Sequence, residues 1–270
     1  MASEPERLGG ERLGGAWSGN LSGWAVQLRG RRPLLADTFA GLSGLFIATS
    51  VVALIVSFRL PLGWDFVAST ILSLALIFAL VVYALPDYPH RRFGAANLVT
   101  AFRACLVSMT GAIVLCFDSL AGADTALWVL VGVVLFALAL DGVDGHLARS
   151  YGHESAFGAR FDMEVDALLI LVLALAAALL EKAGFWVLLI GLMRYGFVAG
   201  GWILPKLNGE LFPSFRRKLV CVLQISALCL ILTPFVTPPY STGIAAIALL
   251  ALVYSFTVDI VYLISRPVAR

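Results

Sequence analysis

The chain has 270 residues, of which 60% are hydrophobic and only 13% are charged. The charged share is about half of that in soluble domains, so the composition excludes a water-soluble globular protein and indicates an integral membrane protein. The net charge of +2 carries little information as a total, because the distribution of charge along the chain matters more. Nothing in the composition points to a nucleic-acid partner, and we expect none.

The first 35 residues are polar and lack the apolar core of a signal peptide. They open with a tandem Glu-Arg-Leu-Gly-Gly repeat (residues 6–15), for which we predict disorder. Four apolar side chains then recur at helical spacing ahead of three arginines, which is typical of a short helix on a phospholipid surface: Trp17, Leu21, Trp24 and Leu28. Gly19 and Gly23 weaken the prediction of a helix, so a plain linker is favoured as much as a surface helix. Residues 1–35 are therefore predicted to be a cytoplasmic tail, with or without an interfacial helix.

Eight apolar segments follow, each at or near the length of about 20 residues that a helix needs to cross a membrane. Asp37 is a plausible N-cap for the first segment. The sequence thus predicts an all-α membrane protein with about eight transmembrane helices, at residues 38–58, 65–85, 97–117, 124–142, 163–181, 185–204, 218–236 and 242–264.

The distribution of Lys and Arg predicts the orientation of these helices. Most of the 19 basic residues fall on one side of the membrane when the N-terminus is placed in the cytoplasm. By the positive-inside rule both termini are then cytoplasmic. The segment between the fourth and fifth helices is cytoplasmic as well, and the membrane is expected to be the inner membrane of a bacterium.

The third predicted helix opens with three polar residues on one stripe: Asn97, Thr100 and Arg103. A neutral polar residue at a helix start is often only a cap, and Asn97 alone is explained in that way. Arg103 lies deeper in the span, where a charge requires an anionic partner.

Four aspartates lie where a hydrophobic chain tolerates them least, at the membrane-embedded ends of the fourth and fifth apolar segments. Asp141 and Asp144 are three residues apart, and Asp162 and Asp166 are four apart, so each pair lies on one face of a helix. Two facing pairs form an all-oxygen site, which suits Mg²⁺ or Mn²⁺ better than zinc.

The residues around the aspartates indicate a phosphorylated ligand. Gly142, Gly145 and Gly158 permit close approach of helices or of a phosphate to the backbone, and Arg149 offers a fork for phosphate oxygens. The alternative is a structural ion-pair cluster, but only Arg149 and Arg160 lie nearby in sequence to neutralise four acids.

A second group of basic residues follows in the sixth and seventh helices. Arg194 lies inside the sixth, while Arg216, Arg217 and Lys218 crowd the start of the seventh, and together they would suit a second anion. The positive-inside rule explains the residues at the start of the seventh helix equally well. The four cysteines fall in apolar runs without metal-ligand spacing, so packing is their predicted role.

The residues from Asp141 to Asp166 resemble the signature of the CDP-alcohol phosphotransferase family, D-G-x2-D-G-x2-A-R-x8-G-x3-D-x3-D, at all nine fixed positions. The stripe on the third helix resembles the N-x-x-T-x-x-R element of that family, which faces the nucleotide and diphosphate. The resemblance implies a six-helix catalytic core at residues 91–270, commonly dimeric, with residues 36–90 as two extra helices.

The resemblance also implies a role for each matched residue. Asp141, Asp144 and Asp162 would bind two Mg²⁺ or Mn²⁺ ions, and Asp166 would contact metal and act as general base. The positions that contact the CDP-linked substrate would be Gly145, Arg149, Ser155 and Gly158, together with the stripe on the third helix.

The predicted reaction is transfer of a phosphatidyl group from CDP-diacylglycerol to a small polar alcohol, with release of CMP. Arg194, Arg217 and Lys218 would hold a phosphate on the acceptor. Lys218 with Gln224 distantly resembles a lysine and glutamine pair of phosphatidylglycerophosphate synthases, which makes glycerol 3-phosphate the first candidate acceptor. The first alternative is transfer from a soluble CDP-alcohol to diacylglycerol. A membrane transporter or a catalytically inactive scaffold are the alternatives from other classes.

Overall fold

The structure, a computed structural model, describes residues 32–60, 62–116, 124–151, 155–209 and 214–265. These residues form eight α-helices and no strand, so the predicted all-α fold is confirmed for them. The helices are α1 (Arg32–Arg59), α2 (Gly63–Ala84), α3 (Ala95–Leu115), α4 (Asp124–Tyr151), α5 (Ala156–Leu179), α6 (Leu188–Ile203), α7 (Phe215–Leu232) and α8 (Tyr240–Ser265). Short 3-10 helices occupy Leu85–Asp87, Phe185–Val187 and Pro205–Asn208.

Each predicted span corresponds to one observed helix. The predicted and observed bounds differ most at the end of α4 and at the start of α5. Helix α4 continues past residue 142 to Tyr151, and α5 begins at Ala156 rather than at residue 163. Hydropathy marks only the apolar part of a helix, whereas the backbone hydrogen bonds continue through the charged turns. All four aspartates therefore belong to helices rather than to a loop.

Five of the described helical segments are long and apolar enough to cross a membrane by length and composition. They comprise α1, α2, α3, α8 and the segment Phe185–Ile203, which contains α6. The other three helices are those with charges at one end: α4 has a shorter apolar stretch, α5 carries four charges in its first half, and α7 begins with three basic residues. The chain is an all-helical membrane protein.

The start of α1 corrects the prediction for the N-terminal segment. The helix begins at Arg32, so Asp37 is not an N-cap; its Oδ2 instead accepts a hydrogen bond from the Phe93 backbone N–H, at 2.9 Å. Pro33 is compatible with a first helical turn, and Leu34 is fully buried. The predicted interfacial helix at Trp17–Leu28 lies outside the described residues.

Helices α1 and α2 pack directly on the predicted six-helix core. Gly41 lets α1 approach α3, because a Cβ atom at that position would lie 2.5 Å from Leu98 Cδ2. Tyr88, after α2, donates its hydroxyl to the Phe93 carbonyl at 2.9 Å, and its ring meets Phe157 of α5 with centroids 5.2 Å apart. Burial raises the pKa of Tyr88, which keeps the hydroxyl protonated as a donor. The segment that joins α2 to α3 thus rests on the start of α5.

Helix α3 is the most buried of the five membrane-spanning segments. One reason is the size of its side chains, since Ala101, Ala104 and Ser108 are all buried and allow neighbouring helices to approach closely. It packs against α2, α4 and α5. This central position carries the polar stripe of α3 into the interior of the bundle.

Candidate active site

Three aspartates converge where α4 passes the first half of α5. Asp141 projects from α4, while Asp162 and Asp166 project from α5, and one carboxylate oxygen of each lies within 4.8 Å of the others. The structure thus brings together three of the four predicted metal ligands. The side chains of Asp144, Gly145 and Arg149 lie outside the described residues.

Arg103 of α3 joins these three carboxylates, and we call the four residues the acidic cluster. Its side chain is 0% exposed, and Nη1 lies 3.2 Å from Asp141 Oδ1. Nη1 also donates to Asp162, and Nη2 donates to Asp166. The expectation that Arg103 has an anionic partner is confirmed, and the partners are the predicted metal ligands.

The N-terminus of α5 is positioned by a second set of polar contacts. Ser155 caps the helix, since its Oγ accepts a hydrogen bond from the Gly158 backbone N–H at 3.0 Å. Asn97 is buried and donates to the Phe93 carbonyl at 2.6 Å. A Cβ atom at Gly158 would lie only 2.9 Å from Asn97 Oδ1. Gly158 therefore permits a close approach of α3 and α5, whereas the sequence predicted a close approach of the two helices that carry the aspartates, α4 and α5.

Two other predicted site residues have less specific surroundings. Thr100 is buried, and its hydroxyl donates to the Ala96 carbonyl of its own helix at 3.2 Å. A Cβ atom at Gly142 would meet nothing within 4 Å in the described part of the chain. A close helix contact therefore does not explain Gly142.

Arg194 is separated from the acidic cluster by α5. Its Nη2 donates to Glu164 Oε1 at 2.7 Å. Glu164 lies two residues from both Asp162 and Asp166, which places it on roughly the opposite face of α5. The structure therefore gives Arg194 a carboxylate partner away from the predicted metal ligands.

Two other residues predicted to bind an anion, Arg216 and Arg217, contact Asp259 of α8. We call these three residues the basic cluster. Arg216 donates to Ser255 Oγ at 2.7 Å and to Asp259, and Arg217 Nη1 lies 3.4 Å from the same Asp259 oxygen. Asp259 is buried, whereas Lys218 is exposed. Two arginines thus share one carboxylate, which leaves an excess of positive charge.

Cys221 is a site residue that the sequence analysis missed, because it stands in an apolar run. Its Sγ lies 3.6 Å from Asp166 Oδ2, while Arg103 donates to Asp166 Oδ1. The available signal was helical spacing, since Cys221 follows Arg217 by four residues and therefore shares its face of α7. Cys105 and Cys229 are buried, in agreement with the predicted packing role.

The acidic cluster has the donor set of a hard divalent cation. Its three carboxylates offer oxygen ligands, which Mg²⁺ and Mn²⁺ prefer. Arg103 neutralises one of the three negative charges, so the cluster keeps an acidic excess inside the bundle. The residues present therefore fit a metal ion.

The fold and this site define a membrane-embedded helical protein with an acidic centre suited to divalent metal. The model of the CDP-alcohol phosphatidyltransferase family matches residues 93–258, more than half of the chain. The chain therefore belongs to this family, and it is a transferase for substituted phosphate groups. Enzymes of the family transfer a phosphatidyl or phosphoalcohol group from a CDP-alcohol and are in general metal-dependent. No match was found among curated proteins or among solved structures.

Proposed function

We propose that this enzyme transfers a phosphatidyl group from CDP-diacylglycerol to a phosphorylated alcohol, with glycerol 3-phosphate as the first candidate, and releases CMP. The observation that carries this proposal is the position of the basic cluster relative to Asp166. Cys221 contacts Asp166, and Arg217 lies on the same face of α7 one turn away. Cys221, which contacts the acidic cluster, and Arg217, which belongs to the basic cluster, therefore lie one turn apart on the same face of α7.

This spacing supports a short acceptor that carries its own phosphate. Four residues of an α-helix rise by about 6 Å, so a hydroxyl group near Asp166 and a phosphate near Arg217 would belong to a molecule of a few carbon atoms. The excess charge of the basic cluster favours an anion, and arginine pairs with phosphate in a bidentate manner. Lys218, exposed next to Arg217, adds positive charge at the same end of α7.

The proposed acceptor site leaves Arg194 out. Its guanidinium is paired with Glu164 on the other side of α5 from the acidic cluster. A phosphate held at Arg194 would place the acceptor hydroxyl away from Asp166. We therefore assign the acceptor phosphate to Arg217 and Lys218.

In the proposed mechanism, Asp166 is the general base. Asp141, Asp144, Asp162 and Asp166 would hold two Mg²⁺ or Mn²⁺ ions, which would supply charge neutralisation at the diphosphate. The acceptor hydroxyl oxygen attacks the β-phosphorus, and Asp166 takes the hydroxyl proton. The bond from that phosphorus to the CMP oxygen breaks, and CMP leaves with the electron pair. No covalent enzyme intermediate is needed.

The surroundings of the reaction centre would favour this step. Arg103 and Cys221 contact different oxygens of Asp166, so the orientation of its carboxylate is fixed from two sides. Asn97 and Gly158 lie where α3 approaches the start of α5, and Thr100 follows Asn97 by three residues on α3. We propose that these residues, with Gly145, Arg149 and the Ser155 region, contact the CDP moiety.

We further propose that the active site and both termini face the cytoplasm of a bacterium and that the protein works as a homodimer. The distribution of Lys and Arg supports the orientation. Cytoplasmic placement would give the site access to nucleotide-activated lipid and to a water-soluble acceptor.

The test is incubation of the purified full-length protein with CDP-diacylglycerol, Mg²⁺ or Mn²⁺, and single acceptors, with lipid products identified by mass. The acceptors should include glycerol 3-phosphate and glycerol, which differ only in the phosphate. We expect metal-dependent release of CMP and a phosphatidyl product with glycerol 3-phosphate, and little product with glycerol.

Two outcomes would contradict parts of the proposal. Preference for an uncharged alcohol would refute the phosphorylated acceptor while leaving the phosphatidyl transfer in place. Product formed only from a soluble CDP-alcohol, such as CDP-choline, and diacylglycerol would refute CDP-diacylglycerol as the donor.

A further inference from the structure

Arg103 stands where the three carboxylates of the acidic cluster meet. Its two terminal nitrogens contact Oδ1 of Asp141, Oδ1 of Asp162 and Oδ1 of Asp166. We propose that Arg103 is a built-in competitor of the divalent metal ion, which lowers the affinity of the acidic cluster for the metal. This inference rests on the proposed function, because it takes the three aspartates as metal ligands.

The charges of the cluster are the first argument for competition. The affinity of a carboxylate site for a divalent cation rises with the number of negative charges in it. The Arg103 guanidinium remains charged at every pH at which the protein is folded, and it cancels one of those charges from inside the cluster. Its side chain is 0% exposed, so water screens this effect very little.

The geometry is the second argument. One oxygen of each carboxylate lies within 4.8 Å of the others, and the guanidinium already bonds to an oxygen of each. A Mg²⁺ ion binds its oxygens at about 2.1 Å, so it would share this small space with another cation. Metal and guanidinium repel each other there, and each must weaken the binding of the other.

Competition would give the enzyme a stable metal-free state. Three carboxylates gathered in a membrane protein repel one another, and a fixed guanidinium holds them together until metal arrives. Arg103 would then be a positioning residue for the ligands. It would also keep the metal exchangeable, because a weaker site releases its ion faster at a given rate of binding.

The experiment is a titration of full-length protein with Mn²⁺ in the absence of substrate, with bound Mn²⁺ followed by electron paramagnetic resonance. Arg103→Gln should bind Mn²⁺ at least about tenfold tighter than the wild type, since one cationic charge is removed from the ligand set. Arg103→Lys should fall between the two, because lysine keeps the charge but lacks the fork. Arg194→Gln, which breaks the Arg194–Glu164 pair elsewhere in the bundle, should bind Mn²⁺ as the wild type does.

Thermal unfolding adds a readout that does not require a Kd. In chelator, Arg103→Gln should unfold at a lower temperature than the wild type, because three buried carboxylates have lost their counter-ion. Saturating Mn²⁺ should raise its unfolding temperature by more than it raises that of the wild type. If Arg103→Gln does not fold without metal, the Mn²⁺ affinity of Arg103→Lys tests the competitor role instead.

An equal or weaker Mn²⁺ affinity in Arg103→Gln, or in Arg103→Lys where only that variant folds, overturns the competitor role. Release of CMP by the wild type is measured in parallel. CMP release with unchanged Mn²⁺ affinity in the variants refutes the competitor role alone. Tighter Mn²⁺ binding in the variants without CMP release by the wild type from any CDP-alcohol refutes the proposed function alone.

Discussion

The acidic cluster and the basic cluster are built from the same residue types in opposite proportions. In the first, one arginine stands among three aspartates; in the second, two arginines share one aspartate. The first therefore has a negative excess and the second a positive excess. Charges inside a membrane bundle are costly and call for partners. The proposed metal site and the proposed acceptor site rest on this contrast in charge.

The contrast also separates arginines that look alike in the sequence. Arg103, Arg194 and Arg217 all lie in helices of the bundle, and all contact carboxylates. Arg103 is outnumbered by acids, Arg194 has one acid for itself, and Arg217 shares one acid with Arg216. The three arginines therefore differ in the charge balance of their surroundings, which the sequence does not show.

The largest effect is expected from removing an acid from the acidic cluster. Asp141→Asn keeps the shape of the side chain but removes a ligand charge, so kcat/KM should fall by at least about a hundredfold. The protein should remain folded, as size-exclusion elution would show. Asp259→Asn is the matched control for metal binding. It removes an acid from the basic cluster instead, so its Mn²⁺ affinity should equal that of the wild type. Near-normal turnover in Asp141→Asn would refute the metal site.

The next effect separates the base from the other ligands of the same cluster. Asp166→Asn removes the proposed proton acceptor, so kcat should fall by about 10²–10⁴-fold. The Kd for the donor, measured by titration with CDP-diacylglycerol in mixed micelles, should change less than it does in Asp141→Asn. Equal losses of donor binding in both variants would show that Asp166 acts only as a ligand.

A smaller effect is expected in the basic cluster. Arg217→Ala and Lys218→Ala should each raise the KM for glycerol 3-phosphate, by about tenfold for Arg217, because a charge-assisted contact to one substrate is lost. The KM for CDP-diacylglycerol should stay nearly constant. Arg194→Ala is the comparison, and its KM for the acceptor should remain close to that of the wild type. A strong rise of the KM for the acceptor in Arg194→Ala would instead assign the acceptor phosphate to Arg194 on α6.

The smallest effect is expected at the contact between Cys221 and Asp166. Cys221→Ala removes a weak S–H donor from Asp166 Oδ2, so kcat should fall by roughly threefold, and Cys221→Ser should restore much of it because the hydroxyl is again a donor. Rates at saturating substrates would be compared for the two variants. Equal rates in Cys221→Ala and the wild type would show that the thiol only packs against the carboxylate.

Local pattern was sufficient for the helices, for the helix face that carries Asp162 and Asp166, and for the need of Arg103 for an anionic partner. The apolar segments predicted all eight described helices, because burial in lipid requires a long apolar run wherever a helix crosses. The spacing of Asp162 and Asp166 placed both on one face of α5, since helical periodicity is a property of the chain itself. The same reasoning required an anion for Arg103, because a charge deep in a span cannot remain unpaired.

The identity of the partners was decided only by the tertiary structure. Asp37 was predicted to cap its own helix but accepts from Phe93, 56 residues away, and Cys221 meets Asp166 across 55 residues. The sequence does not distinguish Arg194 from Arg217. Helix packing pairs Arg194 with Glu164, whereas Arg217 shares Asp259 with Arg216. Periodicity fixes the face on which a side chain lies, whereas the residue opposite it depends on how the helices pack, which is a property of the whole bundle.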